Sequence, residues 1–513
     1  MKAFLMYRDR DFDLQAKLPP NADVLIQDLE LKKLFDAMAL GDKFLFDVAK
    51  VGVLSSLKEP EAITYRQRVL NDSLEHSAVV REIYQIAVKA IEAESKEYLG
   101  IFMSKSPDSL LWRSVRVLEK FVDSLRRLRY LADEHGEKFQ SDGFVQFFQM
   151  LTKELDDEYF RIIQEHLEKL KFENGVLISA QLGKGNRGIN YVLRKSLGEK
   201  RSWVRRVLPK RRSPYSFELD DHDQNGPEFL SELRGRGINL SANALAQSTD
   251  HILSFFTMLK AELGFYIGCI NLREYLVRKG EPTCTPAVLP SGGLHLSAQG
   301  LYEVCLSLGL ENRVVGNELN ANGRNIMIIT GANQGGKSTF LRSLGLAFLM
   351  MQCGMFVAAE QFSASVCSGA FTHFKREEDV TMKSGKLDEE LKRMSEIADQ
   401  IKPNCILLCN ESFSSTNERE GSDIARQIVR ALLDSRIRVF FVTFLFDFAQ
   451  GFHEQKVSNA LFLRAERQID GKRTFKIVEG QPLPTGYGGD LYKRIFGSRE
   501  EQAALVLRPG STM

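Results

Sequence analysis

Gly331-Ala332-Asn333-Gln334-Gly335-Gly336-Lys337-Ser338-Thr339 follows directly on the apolar run Ile326-Met327-Ile328-Ile329-Thr330 and precedes the apolar stretch from Phe340 to Leu349. The nine residues fit G-x-x-x-x-G-K-[ST], and their neighbours supply what that pattern requires, a buried strand before the loop and a helix after it. Glycines let successive backbone N–H groups turn inward around an anion. The helix start adds the positive end of its dipole, and Lys337 brings a mobile charge toward the β- and γ-phosphates. Gly331, Asn333, Gly335, Gly336, Lys337, Ser338 and Thr339 are thus the expected phosphate cradle for ATP, with Ser338 a direct Mg²⁺ ligand. A plain Gly-rich turn is the competing reading, but it has no reason to carry Lys-Ser at a helix start.

A second element of such a site is a buried strand ending in an acid, because the carboxyl end of a parallel strand faces the phosphates. Ile406-Leu407-Leu408-Cys409-Asn410-Glu411 has that form. Glu411 is the expected catalytic base, set to polarise an attacking water; its competing reading is a solvated carboxylate at a strand end. Asn410 stands where an aspartate normally supports Mg²⁺ through water. A neutral amide orients a ligand water but adds no charge, so weaker Mg²⁺ binding is expected.

Outward from this centre the pattern alternates. Asn325 to Thr330, Cys405 to Cys409 and Val439 to Phe444 read as strands, and Ser338 to Gln352, Leu387 to Gln400 and Gly421 to Leu433 as helices. Such alternation predicts a mostly parallel sheet covered by helices. From about Gln27 to Lys171 apolar residues recur every three or four positions, as in Leu31, Leu34, Phe35, Met38 and again Leu118, Phe121, Val122, Leu125, Leu128, which predicts helices; the period returns from Ser241 to Lys279. Between these stretches, Val176 to Ala180 and Ile189 to Leu193, joined through Gly185-Asn186-Arg187-Gly188, predict a β-hairpin. A basic tract follows: Arg194, Lys195, Lys200, Arg201, Arg205, Arg206, Lys210, Arg211 and Arg212, with Trp203 inside it. Four segments are therefore expected, an N-terminal helical region over 1–173, the hairpin and basic insertion over 174–230, returning helices over 231–282, and the α/β domain over 283–513.

Lys and Arg number 69 against 67 Asp and Glu, so attraction to a polyanion must come from a local patch and not from net charge. Seven cysteines, odd in number and without a C-x-x-C pair, read as reduced core thiols of a cytoplasmic protein. The eight histidines show no ligand spacing, so no structural zinc is expected. Met1 to Leu14 is charged and lacks an apolar core, and the stretch Leu344 to Ala359 is interrupted by Gln352 and Gly354; neither a signal peptide nor a membrane span is expected.

The nucleotide motifs resemble those of the MutS family of DNA mismatch repair proteins. The loop is similar to that family's G-P-N-M-G-G-K-S-T, differing at Ala332 and Gln334, and Asn410 to Gly421 is similar to its D-E-x-G-x-G-T-S-x-x-D-G, with Phe413 and Ser415 in place of glycines. Lys383-Ser384-Gly385-Lys386 resembles its S-G-x-S loop, Val315-Gly316-Asn317-Glu318 its V-P-N-D, and Gly480 to Gly497, with Tyr487-Gly488, its C-terminal S-Y-G segment. The resemblance implies an ABC-type P-loop ATPase domain plus a long, mainly α-helical lever and core domain with a small β-containing, clamp-like insertion. It further implies a homodimer in which Ser414, Ser415, Thr416 and Asn417 reach the other subunit's γ-phosphate. The family's switch histidine falls on Phe444, after Thr443, and phenylalanine cannot sense a phosphate by hydrogen bonding, so slow hydrolysis is expected. Tyr65-Arg66-Gln67-Arg68-Val69-Leu70 resembles the start of that family's lever region, and the family's mismatch-reading and connector domains are not expected in this chain.

The basic insertion lies where that family places its DNA clamp, and its cations would pair with phosphates while Trp203 stacks on an exposed base. A solvated loop is the competing reading. The leading expectation is a dimeric, ATP-dependent protein that binds duplex or branched DNA by backbone shape more than by base identity. Its rival is a nucleotide-binding, weakly hydrolysing scaffold acting on structured RNA or a protein complex. A metabolic kinase fits poorly, because no acceptor-binding motif accompanies the loop.

Overall fold

The computed structural model describes residues 1–99, 106–172, 175–194, 226–376, 385–468 and 473–483. The helical periodicity resolves into α1 (Ala22–Asp28), α2 (Leu31–Ala39), α3 (Lys43–Leu54), α4 (Pro60–Glu75), α5 (Ser77–Leu99), α6 (Pro107–His135), α7 (Asp142–Glu154) and α8 (Asp157–Leu170). Local chemistry sets several starts: the Asp42 carboxylate accepts from the amides of Phe44 and Leu45, Asp156 accepts from Tyr159, and Pro60 and Pro107 occupy first-turn positions that need no N–H partner. The hairpin is β1 (Leu177–Leu182) paired antiparallel with β2 (Gly188–Arg194), Leu177 opposite Arg194. Helix α9 then runs from Gly226 to Arg278.

The remaining elements alternate: β3 (Ala287–Leu289), β4 (Leu296–Leu301), α10 (Val304–Gly309), β5 (Asn317–Asn320), β6 (Ile326–Gly331), α11 (Lys337–Gln352), β7 (Gln361–Ser365), β8 (Ala370–Phe374), α12 (Lys386–Gln400), β9 (Ile406–Asn410), α13 (Glu418–Asp434), β10 (Arg438–Val442), α14 (Phe446–Glu454), β11 (Ala460–Arg467) and β12 (Arg473–Glu479). Six of the strands form one sheet in the order β12-β11-β6-β10-β9-β8, parallel except for β12 at its edge. Strands of such a sheet are buried on both faces, and the alternation along them decides which helix each residue meets. Leu407, Val439 and Phe441 pack on Ala425, Val429 and Phe448 of α13 and α14, whereas Phe440 lies 6.3 Å from Phe348 of α11. Truncating a ring so enclosed to alanine costs about 3–5 kcal/mol.

A second, four-stranded sheet, β3-β7-β4-β5, is an addition to the sequence reading. The two sheets share a buried cation: Arg438 of β10 donates to the carbonyl oxygens of Ala321 (2.6 Å), Leu294 (3.3 Å) and His295 (3.3 Å). Burial lowers its pKa to about 10, and the aligned carbonyls stand in for a counter-ion.

By contacts the chain forms two compact units, which group residues differently from the four consecutive segments expected. One holds 1–3, 78–140 and 144–261; within it Leu111, Ile238 and Ala242 make a core with Leu170, Val176 and Leu193, and Phe121 packs on Phe256. The other holds 4–77, 141–143 and 262–513, so α1 to α4 belong with the α/β elements and not with the rest of 1–173. The reason is packing: Gly345 of α11 is seated against Leu29 and Leu408, and the fully buried Arg66 of α4 donates to the Met6 and Cys353 carbonyls. All seven cysteines are free thiols, six of them buried. Among the described residues one helix, over Glu228–Arg278, is long and apolar enough to cross a membrane, and its apolar window is mostly buried within the protein.

Candidate nucleotide-binding site

The carboxyl ends of β6, β10 and β9 lie side by side, so whatever follows each strand is brought to one edge of the sheet. After β6 the chain turns through Gly331 (φ 106°), Gln334 (φ 58°) and Gly336 (φ 92°) into α11. A side chain at Gly331 would place its Cβ 2.9 Å from the Ala465 amide nitrogen of β11, and one at Gly335 would lie 2.6 Å from the Ala465 methyl; both glycines are needed for the loop to lie against the sheet. Asn333 contributes its carbonyl, which accepts from the Arg473 guanidinium (3.2 Å).

Lys337 is almost fully buried. Its ammonium donates to the carbonyls of Gly331 and Ala332, both at 3.0 Å, and lies 4.1 Å from the centre of the Phe444 ring. Burial lowers its pKa to about 8, with Glu411 opposing the shift and Arg473 adding to it. The next residue, Ser338, donates its hydroxyl to Oδ1 of Asn410 at 2.8 Å, joining the loop to the end of β9. A hydroxyl and an amide oxygen are hard donors suited to a Mg²⁺ ion that keeps most of its waters, and neither carries charge.

Glu411 begins a tight turn. It and Phe413 both have positive φ (56° and 62°), and three contacts hold the turn: the Glu411 amide donates to Val442 of β10 (2.9 Å), Ser414 donates back to the Glu411 carbonyl (2.7 Å), and the buried Phe413 ring stacks on His373 of β8. His373 is itself enclosed, with Nε2 3.0 Å from the Glu390 carbonyl of α12 and Nδ1 2.7 Å from the Ser412 hydroxyl. Burial and the nearby Arg393 lower its pKa to about 4, so it is a neutral ring near neutral pH.

The rest of the predicted loop turns inward in this single chain. Ser415 donates to the Glu390 carboxylate (2.8 Å), Thr416 bonds Glu420, and Asn417 caps α13 by accepting from the Glu420 amide (3.0 Å) while its own amide group donates to the Glu420 carboxylate (3.1 Å). Phe444 leaves the end of β10 part-exposed, directly over Lys337.

A cavity of about 410 Å³ adjoins the loop, lined among others by Glu303, Arg313, Val315, Asn317, Gly336, Thr339, Phe340 and Phe475. Its volume lies within the range of small-molecule sites. Asn317 fixes one wall by accepting from the Ile477 amide (2.7 Å). Phe475, half-exposed and at φ 61°, escaped the sequence reading, as did His373 and Glu390; the edge strand carrying Phe475 has no motif, and a lone histidine in an apolar run gives no signal. Of the predicted basic residues, Arg194 ends β2 and donates to the Ser179 hydroxyl across the hairpin (2.8 Å). Lys195, Lys200, Arg201, Trp203, Arg205, Arg206, Lys210, Arg211 and Arg212 lie outside the described residues, as do Lys383, Ser384, Tyr487 and Gly488.

Residues 58–279 match the family model for the MutS2 N-terminal domain, and residues 327–491 match that for MutS domain V. MutS protein homolog 4 of Mus musculus is 26% identical over 245 residues, covering 46% of this chain and 24% of the relative. Endonuclease MutS2 of Thermus thermophilus is 31% identical over 161 residues, 31% of this chain and 21% of the relative. The DNA mismatch repair protein MSH3 of Candida glabrata is 25% identical over 213 residues, 40% and 21% of the two chains. The matched part spans a quarter or less of these relatives' lengths. With domain V over the sheet and its loop, and the MutS2 type of helical region before it, the chain belongs to the MutS family.

Proposed function

We propose that this protein is an ABC-type P-loop ATPase that binds ATP with Mg²⁺ at the edge where β6, β9 and β10 end, and that its nucleotide state governs how its helical region and hairpin engage DNA. The observation carrying the proposal is the convergence there of Lys337, the Ser338–Asn410 pair and Glu411. Ser338 and Asn410 would hold Mg²⁺, which supplies charge neutralisation on the phosphates. The loop amides and Lys337 bind the triphosphate, the cavity beside Val315 and Phe475 takes the base, and Glu411 accepts a proton from the attacking water.

Two copies meeting through the segment Ser414 to Asn417 would complete the site, and Asn417 would then exchange its bond to Glu420 for one to the partner's nucleotide. The hairpin and the basic tract from Arg194 onward are the DNA-facing region in this reading, binding phosphates in duplex or branched DNA within mismatch repair or recombination. The test is titration of the protein with fluorescent ATP and Mg²⁺. Lys337→Ala is expected to weaken binding at least 30-fold, on the order of the 2 kcal/mol that a charge-assisted bond supplies. Unchanged affinity in that variant would reject the site. Parent protein that binds ATP but shows no turnover with any DNA would favour the scaffold reading, which the neutral Asn410 and the non-polar Phe444 support.

A further inference from the structure

The cavity beside the loop has apolar walls, and two of the polar side chains that line it are engaged within the protein. Ser343 donates to the Phe340 carbonyl (2.7 Å), and Asn317, whose Oδ1 holds the Ile477 amide, turns its NH₂ toward the carbonyls of Val315 (3.4 Å) and Phe475 (3.5 Å). Glu303 is different. It lies between β4 and α10, is 1% exposed, and caps α10 with Oε2, which accepts from the Leu306 amide. Its other oxygen, Oε1, has no hydrogen-bond partner among the described residues. Arg342 of α11 brings Nε to 3.8 Å from it, beyond hydrogen-bond reach, and directs Nη1 to Glu30 (3.2 Å).

A buried acceptor without a donor costs the fold stability, and in a cavity wall it marks a place where a ligand's donor completes the bonding. The cap fixes Oε2, which leaves Oε1 for that ligand. An ionised carboxylate accepts and never donates, so what it selects is a donor. Burial raises the Glu303 pKa to about 7, opposed by Arg342, and above neutrality the group is therefore a carboxylate. The neighbouring Tyr302 hydroxyl is unpartnered as well, but a hydroxyl both gives and accepts and so selects neither.

We propose that Glu303 is a specificity-determining residue of the nucleotide site: its Oε1 accepts a hydrogen bond from the 6-amino group of an adenine lodged in the cavity. The proposal rests on the reading of the loop as a triphosphate site with its base in this cavity. Val315, Phe340 and Phe475 offer apolar surface to the faces of a ring, and Glu303 offers the polar contact that fixes its orientation. Guanine presents a carbonyl oxygen at the same position. Two acceptors brought together without a proton between them repel, and a site built around one hydrogen bond rejects the analogue that lacks it.

The experiment is competition of unlabelled nucleotides against ribose-labelled fluorescent ATP with Mg²⁺ at about pH 8.5, where Glu303 is ionised. ATP, GTP and purine riboside triphosphate, which has hydrogen in place of the 6-amino group, share the same phosphates, so their affinity ratios report the base alone. The parent is expected to bind ATP about tenfold more tightly than either analogue, the fold-change of one hydrogen bond to a charged group. In Glu303→Ala the ratios fall to within about twofold. Glu303→Gln is the sharper variant. Its carbonyl oxygen keeps the cap on Leu306 and its NH₂ takes the place of Oε1, a donor where the acceptor stood. ATP then loses its advantage over purine riboside triphosphate, and GTP binds at least as tightly as ATP.

Equal weakening of all three nucleotides in both variants, with the parental ratios kept, would overturn the proposal and leave Glu303 a helix cap. Equal affinity of the parent for ATP and purine riboside triphosphate would overturn it too. So would a parent that binds GTP more tightly than ATP, because the carboxylate would then be reading the N1–H and 2-amino donors of guanine. Failure of the site reading is separate: there Lys337→Ala binds all three nucleotides like the parent, whatever Glu303 does.

Discussion

Glu411 owes its place to its neighbours. A non-glycine residue at φ 56° is strained, and the turn persists because Ser414, Phe413 and His373 each fix one part of it. Glu411→Gln keeps the size and the backbone while removing the base. ATP turnover is therefore expected to fall about 10²- to 10⁴-fold, with affinity changed less than about threefold. Equal turnover in parent and variant would show that Glu411 takes no part in hydrolysis. Most of this residue set was legible beforehand, since Lys337, Ser338, Asn410 and Glu411 sit in runs whose spacing declares strand, loop and helix. His373 and Phe475 were not, because their contribution is contact across the sheet, which no local pattern encodes.

Elements are set by close approaches. Gly421 lies in the first turn of α13, where an added Cβ would come 2.4 Å from the Phe413 carbonyl oxygen. Gly421→Ala must push the helix off the Glu411 turn and is expected to cost about 1–3 kcal/mol in denaturant unfolding. A smaller loss would mean the turn yields freely. Helix α9 gives a second case: the buried Glu262 carboxylate accepts from the amides of Leu5 (2.6 Å) and Phe12 (3.3 Å), and burial raises its pKa to about 7. Since the folded protein binds this proton more tightly than the unfolded chain, Glu262 favours folding most below about pH 4.5. That contribution is lost as pH rises toward 7. Compared with Glu262→Gln, the parent should lose about 3 kcal/mol of relative stability between pH 4 and pH 8, and a constant difference would contradict the assignment. Helices with clear period and the strands β6, β9 and β10 were legible from apolar runs. The second sheet was not: β4 and β7 are short, rich in small residues, and defined by partners distant in sequence.

At the scale of the whole molecule, near-balanced charge leaves the proposed DNA affinity to one tract. Reversing Arg205, Arg206, Arg211 and Arg212 to Glu should cut duplex retention and lower the slope of log affinity against log salt by about 3 to 4. An unaltered slope would remove that tract from the DNA-binding reading, while ATP binding serves as the control. The grouping of 4–77 with 262–513 was hidden from the sequence for a similar reason, because helical period reports which face is buried but not against what. Arg438 carries a consequence of its own. A cation lodged among carbonyls of Leu294, His295 and Ala321 cannot be left behind in a dry interior, so β4 and β10 cannot separate without hydrating it. Their amides should therefore exchange with deuterium at one common rate, and the smaller sheet, thin as it is, melts only when the larger one does.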